Sequence, residues 1–506
     1  MRRFTSLVLL AMVGATVALI WIQREGDASV VVASGAGSAA ASGAGSGSGA
    51  GSASGAGAAA ASGAGAAAAS GAGAAAASGV GSGAGSAAAS GAPRPALRRA
   101  LRTVALGWEL LAPGVVASDG AFKAAGLEAG FAGASSMDEI ESALAKGGGD
   151  AGGADLALIP LSSYVASYER LRALAPEVVF VVGWSRGREA LYADSAQLLA
   201  KPPAGAVKLA GAAGATETFL SLFLLDLAGV PASRVELVDP DARTAAPAAL
   251  RAVFRGAKQR PPGKLLVTSA DAPNLMPIVA VAPRGFIAAH AADLEAWARV
   301  WLAGVGQLSS DVPAGARRVA ALPGAPPVVA VIEALGQLEL ASLRENAAAV
   351  GLSGRGALTL DELFRVTWRI WRDAGVLTTP PPDVAPLYPD LVASLVRRDP
   401  SAAVAVPRRR TAPDAGPRPE VLLVVRAPVT KDGGTLDAEA FVQRIGFLAG
   451  VFDRLSLRIS IGDDVKTARL LADMARDRFG LRASQLHVGK KVLTNQPGTI
   501  ELFSTM

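Results

Sequence analysis

The chain has no cysteine and only two histidines, His290 and His487, among its 506 residues. The missing thiol excludes a disulfide and a cysteine-borne lipid anchor. It also excludes a thiolate nucleophile. Two histidines leave few places for an imidazole base. Aromatic residues are scarce, at 5%. None interleaves with the basic clusters Arg94, Arg98, Arg99 and Arg408, Arg409, Arg410, so nucleic acid is not an expected partner. The net charge of +6 is mild for this length, and both clusters read as solvated linker charge.

What is abundant is small. Gly numbers 58, and from Ser34 to Ala92 the sequence is almost wholly Gly, Ala and Ser in SGAGAAAA-type blocks. Such a tract has no large side chains to bury and cannot offset its chain entropy. It reads as a disordered tether whose ends average about 40–45 Å apart if it behaves as a flexible coil. Before it, Phe4–Ile22 is an uncharged apolar run of 19 residues behind Arg2 and Arg3. That length spans a bilayer as a helix. The flanking arginines predict a cytoplasmic N-terminus and an exported remainder. Trp21-Ile22-Gln23-Arg24 offers no small-x-small cleavage site, which favours an uncleaved anchor in the cytoplasmic (inner) membrane, single-pass, with the bulk of the chain in the periplasm.

After Pro93 short apolar runs alternate with amphipathic stretches. Strands are predicted at Val104–Leu106, Ala129–Ala132, Leu156–Ile159, Val178–Val182, Lys208–Ala210, Val235–Val238 and Leu265–Thr268. Helices are predicted at Ala121–Ala125, Met137–Lys146 (capped by Ser135 or Ser136), Ser162–Ala173, Glu217–Leu227 and Thr244–Arg255. Ala291–Trp371 is largely helical. This alternation implies α/β layers with parallel strands.

The ordered pieces VALGWELLAPGVVASDGAFKAAGLEAGF, DEIESALAKGGGDAGGADLALIPLSSYV, VKLAGAAGATETFLSLFLLDLAGVPASRVELV, APRGFIAAHAADLEAWARVWLAG and TLDELFRVTWRIWRDAGVL carry a family likeness. Together they resemble the periplasmic solute-binding proteins of ABC transporters, in the nitrate, taurine, sulfonate and thiamine-precursor group. The resemblance implies a type II architecture: two α/β lobes, a hinge, and a small ligand trapped between them. It implies a sulfonate, nitrate or pyrimidine-like ligand, more often anionic, and an ABC permease as partner. No cofactor and no metal are expected. The enzymes on this scaffold use cysteine and histidine chemistry that a cysteine-free chain lacks.

GWSRG, Gly183–Gly187, matches the G-x-S-x-G elbow of serine hydrolases. An elbow feeds a helix and needs a histidine base. Here Glu189–Ala193 is a short alternating run, and the resemblance implies a turn into a crossing strand instead. Ser185 and Trp184 are therefore candidate pocket residues. The others are Trp108 and Glu109 after the first strand, Ser162 and Ser163, Thr216 and Thr218 at helix starts, and Asp271 after a strand. Serine and threonine at a helix start suit an anion, and they also begin helices without one. Asp155 reads as a structural turn residue.

The C-terminal segment reads strand (VLLVVRA), helix (Leu436–Arg454), strand (LSLRISI), helix (Val465–Phe479), strand (TIELFS). With LRISIGDD, TARLLADMARDRFGLRASQLHVG and IELF it resembles an OmpA-like peptidoglycan-binding domain, a small α+β (βαβαβ) fold. The resemblance places the peptide-gripping acid at Asp464 and the arginine at Arg469. The loop between them is compressed to a handful of residues, which makes the copy degenerate.

The expected organisation is an anchor over 1–25, a linker over 26–93, a solute-binding domain over 94–395, a Pro/Arg-rich linker over 396–418 and the OmpA-like domain over 419–506. Two alternatives remain: a serine hydrolase using Ser185, and an envelope scaffold whose lobes hold no ligand. The binding region is large enough to bury its own core. A chain lacking the first 93 residues is expected to fold and melt cooperatively by circular dichroism; an unfolded spectrum overturns these boundaries.

Overall fold

The computed structural model describes residues 97–118, 120–239, 250–254, 262–354, 356, 358–404, 421–430, 435–489 and 497–503. The apolar run, the Gly/Ala/Ser tract and Arg408–Arg410 lie outside the described residues. Among those described, no helix is long and apolar enough to cross a membrane.

Fifteen strands are described: β1 Leu101–Leu106, β2 Ala129–Ala134, β3 Leu156–Pro160, β4 Pro176–Ser185, β5 Glu189–Ala193, β6 Val207–Ala210, β7 Val235–Val238, β8 Leu250–Phe254, β9 Lys264–Thr268, β10 Pro277–Pro283, β11 Leu338–Leu340, β12 Val421–Arg426, β13 Ser456–Ser460, β14 Leu486–Val488 and β15 Thr499–Phe503. They form three sheets, ordered β11-β4-β10-β3-β1-β2, β7-β6-β8-β5-β9 and β12-β15-β13-β14. In the first lobe β2, β1 and β3 run parallel, while β10 pairs antiparallel with both β3 and β4. In the second lobe β6 is parallel to β7 and β8, and β5 is antiparallel to β8 and β9.

β10 shows why the first sheet is central. Its residues 277–283, PIVAVAP, are apolar throughout, as a strand covered on both faces requires. Ile278, Ala280 and Ala282 face one core with Trp297 and Trp301; Val279 and Val281 face the other. Trp297 and Trp301 stack at 4.9 Å on the long helix Arg284–Ser310.

The chain crosses between lobes twice, at Arg186–Arg188 and at Ser269–Met276. The crossings are tied together: Ser185 N donates to Met276 O at 3.0 Å, Gly187 N to Ser269 Oγ at 2.8 Å, and Ser269 N to Glu189 O at 2.9 Å. The lobes also touch directly. Ser163 Oγ donates to Gly214 O at 3.1 Å, and Trp371 Nε1 to Ser162 O at 2.9 Å. Trp371 belongs to the helix Leu360–Asp373 and also meets Phe219 of the second lobe, ring centroids 6.0 Å apart.

Most predicted elements are present, and three readings need correction. Thr244–Arg255 was expected to be helical; its described part is the strand β8, pairing with β5 and β6. Arg99 is not solvated linker charge. Its guanidinium donates to both oxygens of buried Asp155 at 2.6 Å, and Arg102 N donates to the same carboxylate at 3.0 Å. Asp155 is thus structural, as read. A further strand, β14, joins the expected C-terminal pattern by pairing parallel to β13.

The C-terminal module packs against the second lobe. Phe223 in the second lobe meets Phe447 and Phe452 of the module at 6.2 and 6.4 Å. Asn274 Nδ2 donates to Gly450 O at 2.6 Å. A Cβ on Gly450 would fall 2.9 Å from Leu358 Cβ, so only glycine lets the module approach this closely. Arg369 grips Asp226 with two hydrogen bonds, at 2.7 and 3.0 Å. Arg444 of the module sits near both, its pKa pushed down by burial. Burial likewise pushes the Glu362 carboxyl up beside it. Because the apolar core is continuous across this junction, body and module are expected to unfold in one calorimetric transition. Phe223→Ala is expected to cost about 3–5 kcal/mol; two separate transitions, with only one shifted by the substitution, overturn that coupling.

Candidate functional site

Between the lobes lies a cleft of about 330 Å³ whose lining includes Trp108, Glu109, Ser135, Ser185, Arg188, Glu189, Thr216 and Phe254. Each wall has a local cause. β1 ends at Gly107, whose φ of 115° suits glycine alone, and this turn feeds the 3-10 segment Trp108–Leu111. The Trp108 indole lies flat against Gly133 of β2, where a Cβ would approach to 2.3 Å. At the hinge, Gly187 has φ 86°, allowing the tight passage from β4 to β5 that aims Arg188 and Glu189 inward.

The polar groups form a chain. Arg188 Nη2 donates to Glu109 Oε1, and the Arg188 guanidinium lies 5.0 Å from the Phe254 ring centroid. Ser185 Oγ donates to Glu189 Oε2 and lies 3.3 Å from Ser269 Oγ. Thr216 Oγ1 donates to Glu217 Oε2 at 3.2 Å. Burial raises the Glu217 pKa, and the nearby Glu189 charge pushes it the same way. The Nε–H of Arg188 is buried and has no hydrogen-bond partner. Two carboxylates, Glu109 and Glu189, thus line the cleft with one guanidinium, and Glu217 lies close enough to Glu189 to feel its charge, an arrangement that differs from the anion site implied by the resemblance. The second-lobe helix Thr216–Leu227 begins at the cleft, but Glu217 already occupies its first turn.

Of the residues singled out in the sequence, the structure brings Trp108, Glu109, Ser185 and Thr216 together. Trp184, one residue from Ser185 on β4, faces the other side of the sheet and lines a separate cavity. Ser162 and Ser163 are buried at the lobe–lobe contact. Thr218 is fully buried, its Oγ1 without a partner and close against Gly211. Asp271 caps a turn by accepting from Thr268 N at 2.8 Å. Arg188, Glu189, Glu217 and Phe254 were missed. The GREA run held a signal for two of them: charges flanking a Gly turn between apolar strands.

No histidine meets Ser185. His290 Nδ1 lies 3.1 Å from Asp293 Oδ2 and stacks on Phe286, and His487 packs on Phe503. In the C-terminal module Asp464 is the N-cap of the helix Val465–Phe479. It accepts from Thr467 Oγ1 at 2.6 Å and Thr467 N at 3.0 Å, bonds that hold its pKa down. Arg469 is exposed on that helix.

No protein-family model matches the chain, and no curated protein matches it. Solved structures do resemble it. The periplasmic aliphatic sulphonate binding protein SsuA from Escherichia coli is 14% identical, covering 68% of this chain and 100% of its own, with a TM-score of 0.40. The periplasmic nitrate-binding protein NrtA from Synechocystis PCC 6803 is 13% identical over 60% and 90%, TM-score 0.39. A Candida albicans protein with the generic periplasmic binding protein fold is 11% identical over 62% and 99%, TM-score 0.36. With TM-scores of this size, the reading of the site rests on its own geometry.

Glu217 gives a signed test. Its folded pKa is raised, so its contribution to stability is fully present below the unfolded pKa and is lost as pH rises through the folded value. At neutral pH the ionised carboxylate therefore opposes folding. Glu217→Gln is expected to raise the melting temperature by a few degrees at pH 7.5 and to leave it unchanged at pH 4. An equal shift at both pH values rules out the burial effect.

Proposed function

We propose that the protein is a solute receptor that captures a small, donor-rich polar molecule, cationic or amine-bearing, in the cleft between its lobes. The carrying observation is the set Glu109, Arg188 and Glu189 around a space of about 330 Å³, with Glu217 next to the lining residue Thr216 and near the Glu189 charge. That volume suits a small ligand. Carboxylates accept, so the ligand must donate. The buried, unmet Nε–H of Arg188 asks for one acceptor in return. An aminopyrimidine has both, beside an aromatic face that Trp108 can stack on. A nitrate or sulfonate has acceptors only and would meet a net negative field.

In this reading Ser185 is a positioning group. Its hydroxyl fixes the Glu189 carboxylate, which is free to accept from the ligand with its other oxygen. Delivery to an ABC permease and contact of the C-terminal module with peptidoglycan belong to the same proposal: an envelope receptor tethered to the inner membrane by residues 1–25. Asp464 supports the cell-wall part weakly, since its oxygens are taken up in capping its helix.

Thermal-shift screening of the full chain separates the ligand classes. Aminopyrimidines and small amines are expected to raise the melting temperature; nitrate, taurine and alkanesulfonates are not. Glu109→Gln releases Arg188 from its ion pair. Amine affinity is expected to fall about 10- to 150-fold, since a hydrogen bond to a charged group contributes roughly 1.5–3 kcal/mol. Alkanesulfonate affinity is expected to appear. Tight sulfonate binding by the unsubstituted protein overturns the charge argument.

A further inference from the structure

One end of the first sheet forms a wall of the cleft. The parallel strands β1, β2 and β3 end there, at Leu106, Ala134 and Pro160. The strand β4 runs the same way and ends there at Ser185, while the antiparallel β10 begins there and contributes Ile278. In the order of the sheet the lining residues are therefore Ser185, Ile278, Pro160, Leu106 and Ala134. Four strands in a row offer apolar side chains, and polarity begins only at β4, where the chain crosses to the second lobe. Trp108 extends the apolar surface, since its indole is pinned against Gly133, the neighbour of Ala134.

The charged groups collect at the β4 end. Arg188 and Glu189 follow Ser185 across the hinge. Glu109 reaches over from the first lobe and is answered by Arg188. Glu189 is answered by no cation. It is 2% exposed, accepts from Ser185 Oγ, and makes no ion pair among the described residues. A buried carboxylate without a counter-charge carries a desolvation cost that a ligand cation offsets. Beside it in the chain, the Nε–H of Arg188 needs one acceptor, which a hydroxyl supplies. A small hydrophilic amine would satisfy this end and leave the four-strand wall uncovered. A wholly apolar molecule would cover the wall and leave Glu189 unmatched.

We propose that the ligand of the cleft is an amphiphilic amine, an amino alcohol carrying an apolar ring; this rests on the receptor function proposed above and narrows its ligand class. The ammonium pairs with Glu189, a charge-assisted contact to the oxygen that Ser185 leaves open. The hydroxyl accepts from Arg188 Nε–H. The ring lies on Ile278, Pro160 and Leu106, with Trp108 as its aromatic neighbour. The ligand carries no carboxylate, because the cleft's one guanidinium is already held by Glu109.

Isothermal titration calorimetry of the full chain with three matched compounds tests this. They are 2-amino-1-phenylethanol, ethanolamine, which lacks the ring, and 1-phenylethane-1,2-diol, which lacks the charge. Saturable 1:1 binding is expected for the first, with the other two at least about tenfold weaker. Leu106→Asn is expected to cut the advantage over ethanolamine at least about threefold, and Glu189→Gln to remove the advantage over the diol. Should Leu106→Asn fail to fold, Trp108→Ala takes its place. Ethanolamine binding as tightly as the phenyl compound overturns the apolar wall and leaves the receptor function standing. So does an advantage that the wall substitution does not reduce. A diol as tight as the amine, or an amine indifferent to Glu189→Gln, overturns the ammonium pairing. Binding of neither amine while aminopyrimidines still raise the melting temperature overturns this inference alone; failure of the amines and the aminopyrimidines together overturns the receptor function with it.

Discussion

The helix Thr216–Leu227 has no face it can leave to water. Phe219, Leu220, Leu222, Phe223, Leu224, Leu225 and Leu227 are all buried, and they point around the whole circumference. A helix that is apolar all round must be covered all round. Its own sheet covers one side. The helix Leu360–Asp373, with Trp371, covers a second. The C-terminal module, through Phe447 and Phe452, covers a third. Both the contact between lobes and the docking of the module follow from this need.

The same helix sets the character of the cleft. Its first turn carries Thr216, which lines the site, and Glu217, so its positive end is already answered by a carboxylate. Arg188 is answered by Glu109. The remaining acid, Glu189, is held by a hydroxyl rather than by a cation. Desolvation makes each of these groups sensitive to its partner. The charge of the cleft is set by which residues converge there, not by the fold.

The hinge divides two cavities by strand periodicity. Adjacent residues Trp184 and Ser185 serve opposite sides of one strand, as do Pro277 and Met276. In the sequence both Trp184 and Ser185 stood out together as one candidate wall. Only the pleat separates them.

The sequence by itself determined most of the elements and their order, but not the strands β10 and β11. Local patterns sufficed for β1 to β4, β6, β7 and β9, for the capped helix at Met137, and for most of the C-terminal module, because apolar period and cap chemistry are short-range. They failed at Leu250–Phe254, where a short alternating segment between polar flanks has the composition of either state, and pairing with β5 and β6 decided for strand. At the cleft, Trp108 and Glu109 were legible because a glycine ends the strand before them. Thr218 and Asp271 were misplaced because a buried threonine and a turn-capping aspartate look, in sequence, like ligand contacts. Tertiary structure alone decided the pairing of Glu109 with Arg188, 79 positions apart, and the docking of the module on Phe223. Those contacts join segments that no local pattern links, and their energies arise only once water is excluded between them.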